Sequence, residues 1–399
     1  MKGVKKVLTE TIKFKIFYFV RYFGDAFFYP FMSIYFISKG MSEHNLGFIL
    51  AITPITTILV NPLWNFIVKD MKISRFILKI MTLIEGALII LLTQISGFEL
   101  YALVICLIAF FCSPFISIQD GYTATFTDKM KIEYSSIRIH ASIAYVIASA
   151  IAGYVILYLG FDVLFITSGI FFGLTALIAI WIKPIEKAIP RGEKPKRDFK
   201  TLLKNKDFFK YLVFYTLVIG SVRIGDSFFG VYLIQERALS TTAYGLLYSA
   251  FVFVEVLTLR FLMTKGNFTS EKTLFLLASS MFALRFLVYG FNLPLEIVII
   301  VTMLRGISGG IFIFANIKYI IKIVRVENIT TAILMVMLAF SIYTALGNML
   351  AGRFIETSGY NWLYLINLIL IVFGIIFFLL FTPKVLQMDN QEDNLSTLE

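Results

Sequence analysis

Long apolar runs separated by short polar segments form the dominant pattern of the sequence. Each run has about 20 residues, the length that an α-helix needs to cross the hydrocarbon core of a bilayer. The alternation of apolar and polar positions typical of membrane-spanning strands is absent, which argues against a membrane β-barrel. We therefore predict twelve transmembrane helices, over residues 14–38, 46–68, 76–95, 100–122, 137–158, 161–182, 209–235, 242–262, 271–290, 293–314, 329–352 and 361–382.

Composition and charge agree with a membrane protein. The chain has 399 residues, of which 59% are hydrophobic and 15% are charged, whereas a soluble protein carries about 25% charged residues. If the N-terminus is cytoplasmic, most lysines and arginines fall in cytoplasmic segments, and the external loops carry Lys39, Arg237 and Arg353. Because cytoplasmic loops are enriched in basic residues, we interpret the net charge of +11 as a topology signal. It predicts a multi-pass protein of the plasma (inner) membrane with both termini cytoplasmic, and it gives no indication of nucleic-acid binding.

The predicted spans divide into two sets of six. The longest polar segment, residues 183–208, follows six spans and precedes six more, and we predict that it is a cytoplasmic linker. This gives an N-terminal six-helix bundle over residues 1–182, a C-terminal six-helix bundle over residues 209–383 and a cytoplasmic tail over residues 384–399. The predicted fold class is an all-α polytopic membrane protein with two pseudo-symmetric bundles.

Two local repeats indicate that the halves are duplicates. Residues 24–28 (Gly-Asp-Ala-Phe-Phe) return as residues 225–229 (Gly-Asp-Ser-Phe-Phe), and the Ala-Gly pair at 152–153 returns at 351–352. Both offsets are about 200 positions, and self-similarity at a fixed offset is the mark of a repeat architecture. Parallel halves of this kind place a substrate site between them, near the middle of the bilayer.

Four segments of the chain look like the signature segments of a known family: residues 61–75, 134–142, 251–256 and 283–285. They resemble the major facilitator superfamily, most closely the branch that contains lactose permease and the phenylpropionate-permease-like transporters. The first of them, after the second span, is similar to the superfamily's loop signature, although it lacks the usual Gly and leading Asp. The resemblance covers nearly the whole chain, and it implies the fold of that superfamily and a role in solute transport.

The resemblance also implies a substrate site. In that branch a carboxylate on the fourth helix, an arginine on the fifth and an aromatic residue beyond it hold the sugar, and the matching positions are Asp120, Arg138 and Tyr145. Glu255 and Arg285 match the acidic position of the eighth helix and the arginine of the ninth. An alternative for Asp120 and Arg138 is an ion pair that locks a helical hairpin.

One departure from the branch concerns its tenth helix. Lactose permease has a histidine and a glutamate there that are tied to proton coupling, and the matching positions here are Leu304 and Ile307. The resemblance therefore implies neither its coupling route nor lactose as the substrate.

Ionised groups within the spans are the main candidates for chemistry, because a charge near the bilayer centre costs about 2.5–3.5 kcal/mol on insertion scales and normally faces a wet cavity. Arg21 and Asp25 are four residues apart and Arg223 and Asp226 three apart, so each pair lies on one helix face. Each pair is interpreted either as a structural ion pair or as cavity charges that exchange a proton. For proton coupling, Asp226 and Glu255 are the first candidates. Two of the embedded charges, Glu85 and Arg305, have no motif support, and for them we expect packing or pairing. The ten embedded charges are Asp25, Glu85, Asp120, Asp226, Glu255, Arg21, Arg138, Arg223, Arg285 and Arg305.

Three hypotheses of function remain open, two of them within transport, and transport is favoured. The leading hypothesis is a proton-coupled symporter that imports a small polar organic solute, with sugar- or nucleoside-like compounds foremost, acting as a monomer in the lipid bilayer. The alternatives are a proton-driven drug or metabolite exporter and a transport-dead membrane sensor. No phosphate-binding loop, zinc motif or nucleophile–base set is visible, so we expect neither an enzyme nor a cofactor. The two cysteines, Cys106 and Cys112, are expected to be buried thiols.

Overall fold

The computed structural model describes residues 2–68, 71–182, 199–265, 269–325 and 328–381. Within these ranges the secondary structure is helical and contains no strand. Most of the predicted linker, residues 183–198, lies outside the described residues, and so does the predicted tail, residues 384–399. The first part of the chain forms α1 Lys2–Phe28, α2 Met32–Ser38, α3 Glu43–Ile67, α4 Met71–Leu92, α5 Phe98–Cys112, α6 Phe115–Met130 and α7 Ser135–Trp181.

The second part of the chain repeats this arrangement. Two of its helix starts are capped by side chains, since Asn205 accepts hydrogen bonds from the backbone N–H groups of Asp207 and Phe208 and Ser270 accepts one from Thr273. The helix that begins at Lys206 continues as a π-helical turn over Tyr232–Glu236. The helices are α8 Phe199–Lys204, α9 Lys206–Val231, α10 Thr241–Lys265, α11 Glu271–Gly290, α12 Leu295–Ile323, α13 Ile329–Ser358 and α14 Tyr360–Phe381.

Helical segments occupy all twelve predicted spans. Nine stretches of the described residues are long and apolar enough to cross a membrane, and one of them, Ser135–Trp181, has 47 residues and corresponds to two predicted spans. The first and third predicted spans lie on α1 with α2 and on α4, which are not among the nine. Two spans are interrupted near prolines, the first around Pro30 and the fourth at Ser113–Pro114. The breaks divide these spans into α1 with α2 and α5 with α6.

Two glycines form the same tight turn at equivalent places in the two halves. Gly160 interrupts α7 with φ 85° and ψ 173°, and Gly359 joins α13 to α14 with φ 85° and ψ 170°. Positive φ is the region that glycine adopts without the penalty of a Cβ atom. Each turn joins two helical segments through a single residue, and the two positions are about 200 residues apart, as the sequence repeat predicts.

The two halves contact each other mainly through two helix pairs, α3 with α13 and α7 with α10, and to a smaller extent through α2 with α9. Glycines bring the backbones together at both places. A Cβ atom on Gly352 would lie 2.3 Å from the backbone oxygen of Glu43, and one on Gly153 would lie 2.5 Å from that of Thr241. Such close approach through small residues is typical of membrane helix packing.

Hydrogen bonds between the halves lie toward the same end of the molecule as the two tight turns. The Ser33 hydroxyl donates to the carbonyl of Ser227 (2.8 Å), and the Tyr244 hydroxyl donates to that of Pro30 (3.1 Å). The Tyr360 hydroxyl donates to a carboxylate oxygen of Glu43 at 3.3 Å. We call this end the closed end; the opposite end carries the start of α1 and the end of α14.

The two cysteines differ in exposure. Cys112 is buried, as expected, whereas Cys106 lies exposed on the surface of α5. The expectation for Cys106 was wrong because a small apolar side chain can face lipid as readily as the protein interior, and hydropathy does not distinguish the two.

Candidate functional site

A buried cluster of three charges occupies the middle of the N-terminal half. Arg21 donates from Nη1 to Oδ1 of Asp25 at 2.7 Å and from Nη2 to Oε2 of Glu85 at 2.9 Å. The Tyr29 hydroxyl donates to the other oxygen of Glu85 at 3.0 Å. The spacing in the sequence predicted the pairing of Arg21 with Asp25, and this ion pair is present; the second carboxylate comes from α4.

Aromatic rings enclose the guanidinium of Arg21. The rings of Phe115 and Phe172 lie 4.3 Å and 4.1 Å from its central carbon, on α6 and on the second part of α7. A cation over an aromatic face is attracted to the ring, and the attraction strengthens when water is excluded. Four segments of the N-terminal half therefore hold Arg21 in place.

Asp120 and Arg138 lie in the same half and are held by tyrosines. The Tyr18 hydroxyl donates to Oδ1 of Asp120 at 2.8 Å. The guanidinium of Arg138 lies 4.7 Å from the ring centre of Tyr22. These two charged residues form no direct ion pair with each other, so each presents polar atoms that a solute could contact.

Tyr145 connects the two halves. Its ring lies 6.1 Å from that of Tyr248 on α10, and the guanidinium of Arg305 on α12 lies 5.8 Å from the ring centre of Tyr248. The predicted aromatic residue therefore lies at the junction of the halves, next to the charges of the C-terminal half. An aromatic pair at this place offers flat surfaces for a ring-shaped solute.

Asp226 organises the charges of the C-terminal half. Its Oδ1 accepts a hydrogen bond from Arg285 at 2.6 Å, and its Oδ2 accepts one from Arg305 at 3.0 Å. Arg305 also approaches Glu255 at 4.0 Å. The side chain of Arg285 is 1% exposed, whereas that of Glu255 is 29% exposed.

Arg223 and Glu255 face a cavity of about 220 Å³. The sequence spacing placed Arg223 and Asp226 on one helix face, but Asp226 instead pairs with arginines from α11 and α12. Arg223 is exposed and has no carboxylate within the 4.0 Å ion-pair distance among the described residues. The cavity therefore presents an accessible guanidinium and a partly accessible carboxylate.

Sequence reasoning assigned no functional role to Glu85 or Arg305, yet both are central to these clusters. The sequence feature that could have identified them is a charged side chain within an apolar span, which is by itself a reason to suspect function. Within the described ranges, no group of three His, Cys, Asp or Glu side chains is placed to hold a metal ion.

Two repeated bundles that meet at one end and enclose paired charges are the architecture of membrane transporters. The family model described as "MFS_1 like family" matches residues 11–366, and the chain belongs to this family of the major facilitator superfamily. This confirms the resemblance inferred from the sequence motifs and places the chain among transporters, not among enzymes.

Individual relatives are similar over most of the chain. The maltose permease of Geobacillus stearothermophilus is 25% identical over 352 residues, covering 87% of this chain and 86% of that protein. The probable 3-phenylpropionic acid transporter of Escherichia coli (strain K12) is 23% identical over 342 residues, covering 82% of this chain and 88% of that protein.

A solved structure supports the fold. The crystal structure of a point mutant of the nucleoside transporter NupG superposes with a TM-score of 0.83, covering 94% of this chain and 100% of that one. It is 16% identical in sequence, so the likeness concerns the fold alone, and it confirms the predicted architecture of two six-helix bundles.

Proposed function

We propose that the chain is a proton-coupled symporter that imports a small polar organic solute across the plasma membrane, with sugar- or nucleoside-like compounds foremost. The observation that carries the proposal is the polar interior between the two halves. It combines an accessible guanidinium at Arg223, tyrosine-held charges at Asp120 and Arg138, and the aromatic pair of Tyr145 and Tyr248.

The solute site would draw on both halves. A guanidinium offers a planar set of donors that suits hydroxyl or carboxylate oxygens, and Arg138 and Arg223 each supply one. Asp120 is the acceptor for solute hydroxyl groups, and the ring of Tyr145 is the surface on which a sugar or base stacks. Since one chain supplies both halves, a monomer suffices.

Alternating access would come from rocking of the two halves about this site. With both termini in the cytoplasm, the closed end faces outward, and the structure corresponds to a state that is accessible from the cytoplasm. Opening of the site toward the outside requires separation of α3 from α13 and of α7 from α10, where glycine contacts and hydrogen bonds join the halves.

Proton coupling would link the occupancy of an embedded carboxyl to solute affinity. A ligand shifts an equilibrium between two states only as far as it binds them differently, so the coupling residues must change partners between the states. Asp226 and Glu255 are candidates because they share Arg305. The remaining cavity charges belong to buried ion pairs. These pairs are Arg21 with Asp25 and Arg285 with Asp226.

The test is uptake into proteoliposomes from a panel of sugars, nucleosides and small organic acids, with and without an imposed pH gradient. The names of the relatives, which mention maltose, nucleosides and 3-phenylpropionic acid, guide the choice of panel. We expect Arg138→Lys and Asp226→Asn to abolish gradient-driven uptake, whereas the control Arg353→Lys, at an exposed position of α13, retains it. Uptake that ignores the pH gradient in the parent protein would refute proton coupling, and unchanged uptake in both variants would refute these site assignments.

A further inference from the structure

We propose that Glu85 on α4 is the proton-binding carboxyl of this transporter, and that in the observed state its side chain is protonated. The inference rests on the proposed proton coupling, and it assigns the proton to a carboxyl other than the candidates Asp226 and Glu255. It comes from the charge balance of the two buried clusters, from the neighbours of Glu85 and from its burial.

The two clusters differ in their balance of charge. In the C-terminal half, the carboxyls of Asp226 and Glu255 face two guanidinium groups, Arg285 and Arg305, and the exposed guanidinium of Arg223 lines the same cavity. The acids of that cluster do not outnumber its bases, and no proton is required to neutralise it.

The cluster in the N-terminal half has a surplus acid. The guanidinium of Arg21 bridges the carboxyls of Asp25 and Glu85 at 2.7 Å and 2.9 Å. If both acids were ionised, the cluster would carry one uncompensated negative charge. The side chain of Arg21 is 3% exposed and that of Glu85 is 0% exposed, and a charge without a partner is strongly disfavoured where water is excluded. One proton on one of the two carboxyls removes the surplus.

The neighbours of the two acids decide which one holds the proton. Asp25 lies in the field of two cations, Arg21 on its own helix and Arg138 on α7. The charge of Arg138 is already balanced by Asp120, so the surplus acid of the cluster remains. Glu85 faces one cation, Arg21, together with the neutral hydroxyl of Tyr29. Two nearby cations favour the ionised form of Asp25 more than one favours that of Glu85.

Among the described residues, the other helices around Glu85 bring no further charge to it. On α5 the Cys112 thiol lies within reach of its carboxyl, and a buried thiol of this kind is neutral. On α6 and α7 the cluster is bordered by the rings of Phe115 and Phe172, which do not titrate. Asp25, on α1, is the remaining titratable neighbour.

Access to the proton runs through Asp25. Glu85 lies behind Arg21, and Asp25 occupies the other side of the same guanidinium, toward Arg138 and Tyr22. When the proton leaves Glu85, Arg21 is left with two anions. Release therefore requires that a second cation approach the cluster, and Arg138 on the substrate side is placed to respond to the solute.

The first measurement is infrared spectroscopy of the full chain in liposomes at neutral pH, reading the carbonyl stretch of a protonated carboxyl. We expect such a band in the parent protein and its loss in Glu85→Gln. The control Asp162→Asn removes an exposed acid paired with Lys39 and should leave the band unchanged. A band of full intensity in Glu85→Gln would overturn the proposal.

A second variant tests the proposal without removing any charge. Tyr29→Phe deletes the hydroxyl that lies 3.0 Å from Oε1 of Glu85, so the band should move in frequency, as a carbonyl does when it loses a hydrogen bond. A band that does not respond belongs to another carboxyl, and the proposal would then be wrong. This readout remains decisive if Glu85→Gln fails to fold.

Transport separates this inference from the proposed function. For each variant, solute uptake is measured with and without a pH gradient, and the ratio of the two is the readout. We expect Glu85→Gln to lose the stimulation by the gradient, while Asp162→Asn keeps it. If the parent shows no stimulation, the proposed function fails and the infrared band alone decides the state of Glu85. If the parent is stimulated and Glu85→Gln is stimulated equally, Glu85 is not the coupling group.

Discussion

Replacing Gly352 by alanine should open the closed end of the transporter. An ideal Cβ atom at Gly352 would lie 2.3 Å from the carbonyl oxygen of Glu43 and 2.9 Å from the Cα atom of Gly47, whereas ordinary contacts of a Cβ atom begin at 3.4 Å. Both neighbours are backbone atoms of α3, so a change of side-chain rotamer cannot relieve the overlap. Because real Cβ atoms essentially never lie closer than 3.0 Å to such an atom, a contact of 2.3 Å must lengthen, and helix α13 must move away from α3.

The penalty is specific to one state of the transport cycle. Forcing an extra methyl group into a close-packed contact costs about 1–3 kcal/mol, and this contact exists when the closed end is shut. Once the halves have separated at this end, the methyl group lies in open space. The equilibrium should therefore shift toward the separated state by about 5- to 150-fold.

Labelling of a single cysteine measures the shift. In a background with Cys106→Ser and Cys112→Ala, Tyr145→Cys places a thiol at the junction of the halves, and a membrane-impermeant maleimide is added from the side of the closed end. We expect faster labelling when Gly352→Ala is also present. The matched control is Gly173→Ala, since a Cβ atom at Gly173 meets nothing within 4 Å. Equal labelling rates in the two backgrounds would refute the argument that this contact holds the end shut.

Three further predictions concern stability, measured as thermal unfolding in detergent. Arg285→Met leaves Asp226 with one of its two partners, and breaking a buried pair costs about 3–5 kcal/mol; an unchanged unfolding temperature would contradict the pairing. Tyr18→Phe removes the donor to Asp120 and should cost about 1.5–3 kcal/mol, as expected for a hydrogen bond to a charged group, and a loss well below this range would mean that water replaces the hydroxyl. Gly160→Ala forces an alanine to adopt φ 85° and should cost about 1–2 kcal/mol, and a variant as stable as the parent would show that the turn relaxes.

The spans were predictable from the sequence, but their interruptions were not. Run length alone identifies a helix that crosses a membrane, because the bilayer fixes the number of apolar residues required. Prolines do not mark the breaks reliably. The first span is interrupted around Pro30 and the fourth at Pro114, yet α3 continues through Pro54 and Pro62. Neighbouring helices decide whether the freed backbone groups find new partners, and that information lies outside the local sequence.

The site was predictable in its residue types and less so in its pairings. Spacing along one helix identified the Arg21–Asp25 pair, which forms within α1. The same reasoning suggested Arg223 for Asp226, but the partners are Arg285 and Arg305, from two other helices. A single sequence shows which residues share a helix face and does not show which helices become neighbours.

The tight turns at Gly160 and Gly359 give each half a pair of helices that are joined by a very short connection. Since about one residue separates the two helices of each pair, neither helix can slide along the other without straining the turn. Each pair therefore moves as a rigid body. A displacement of α13 against α3 at the closed end must then reappear as a displacement of α14 at the far end of the molecule. Inserting a few flexible residues after Gly359 would uncouple the two ends while leaving every contact at the charged centre in place.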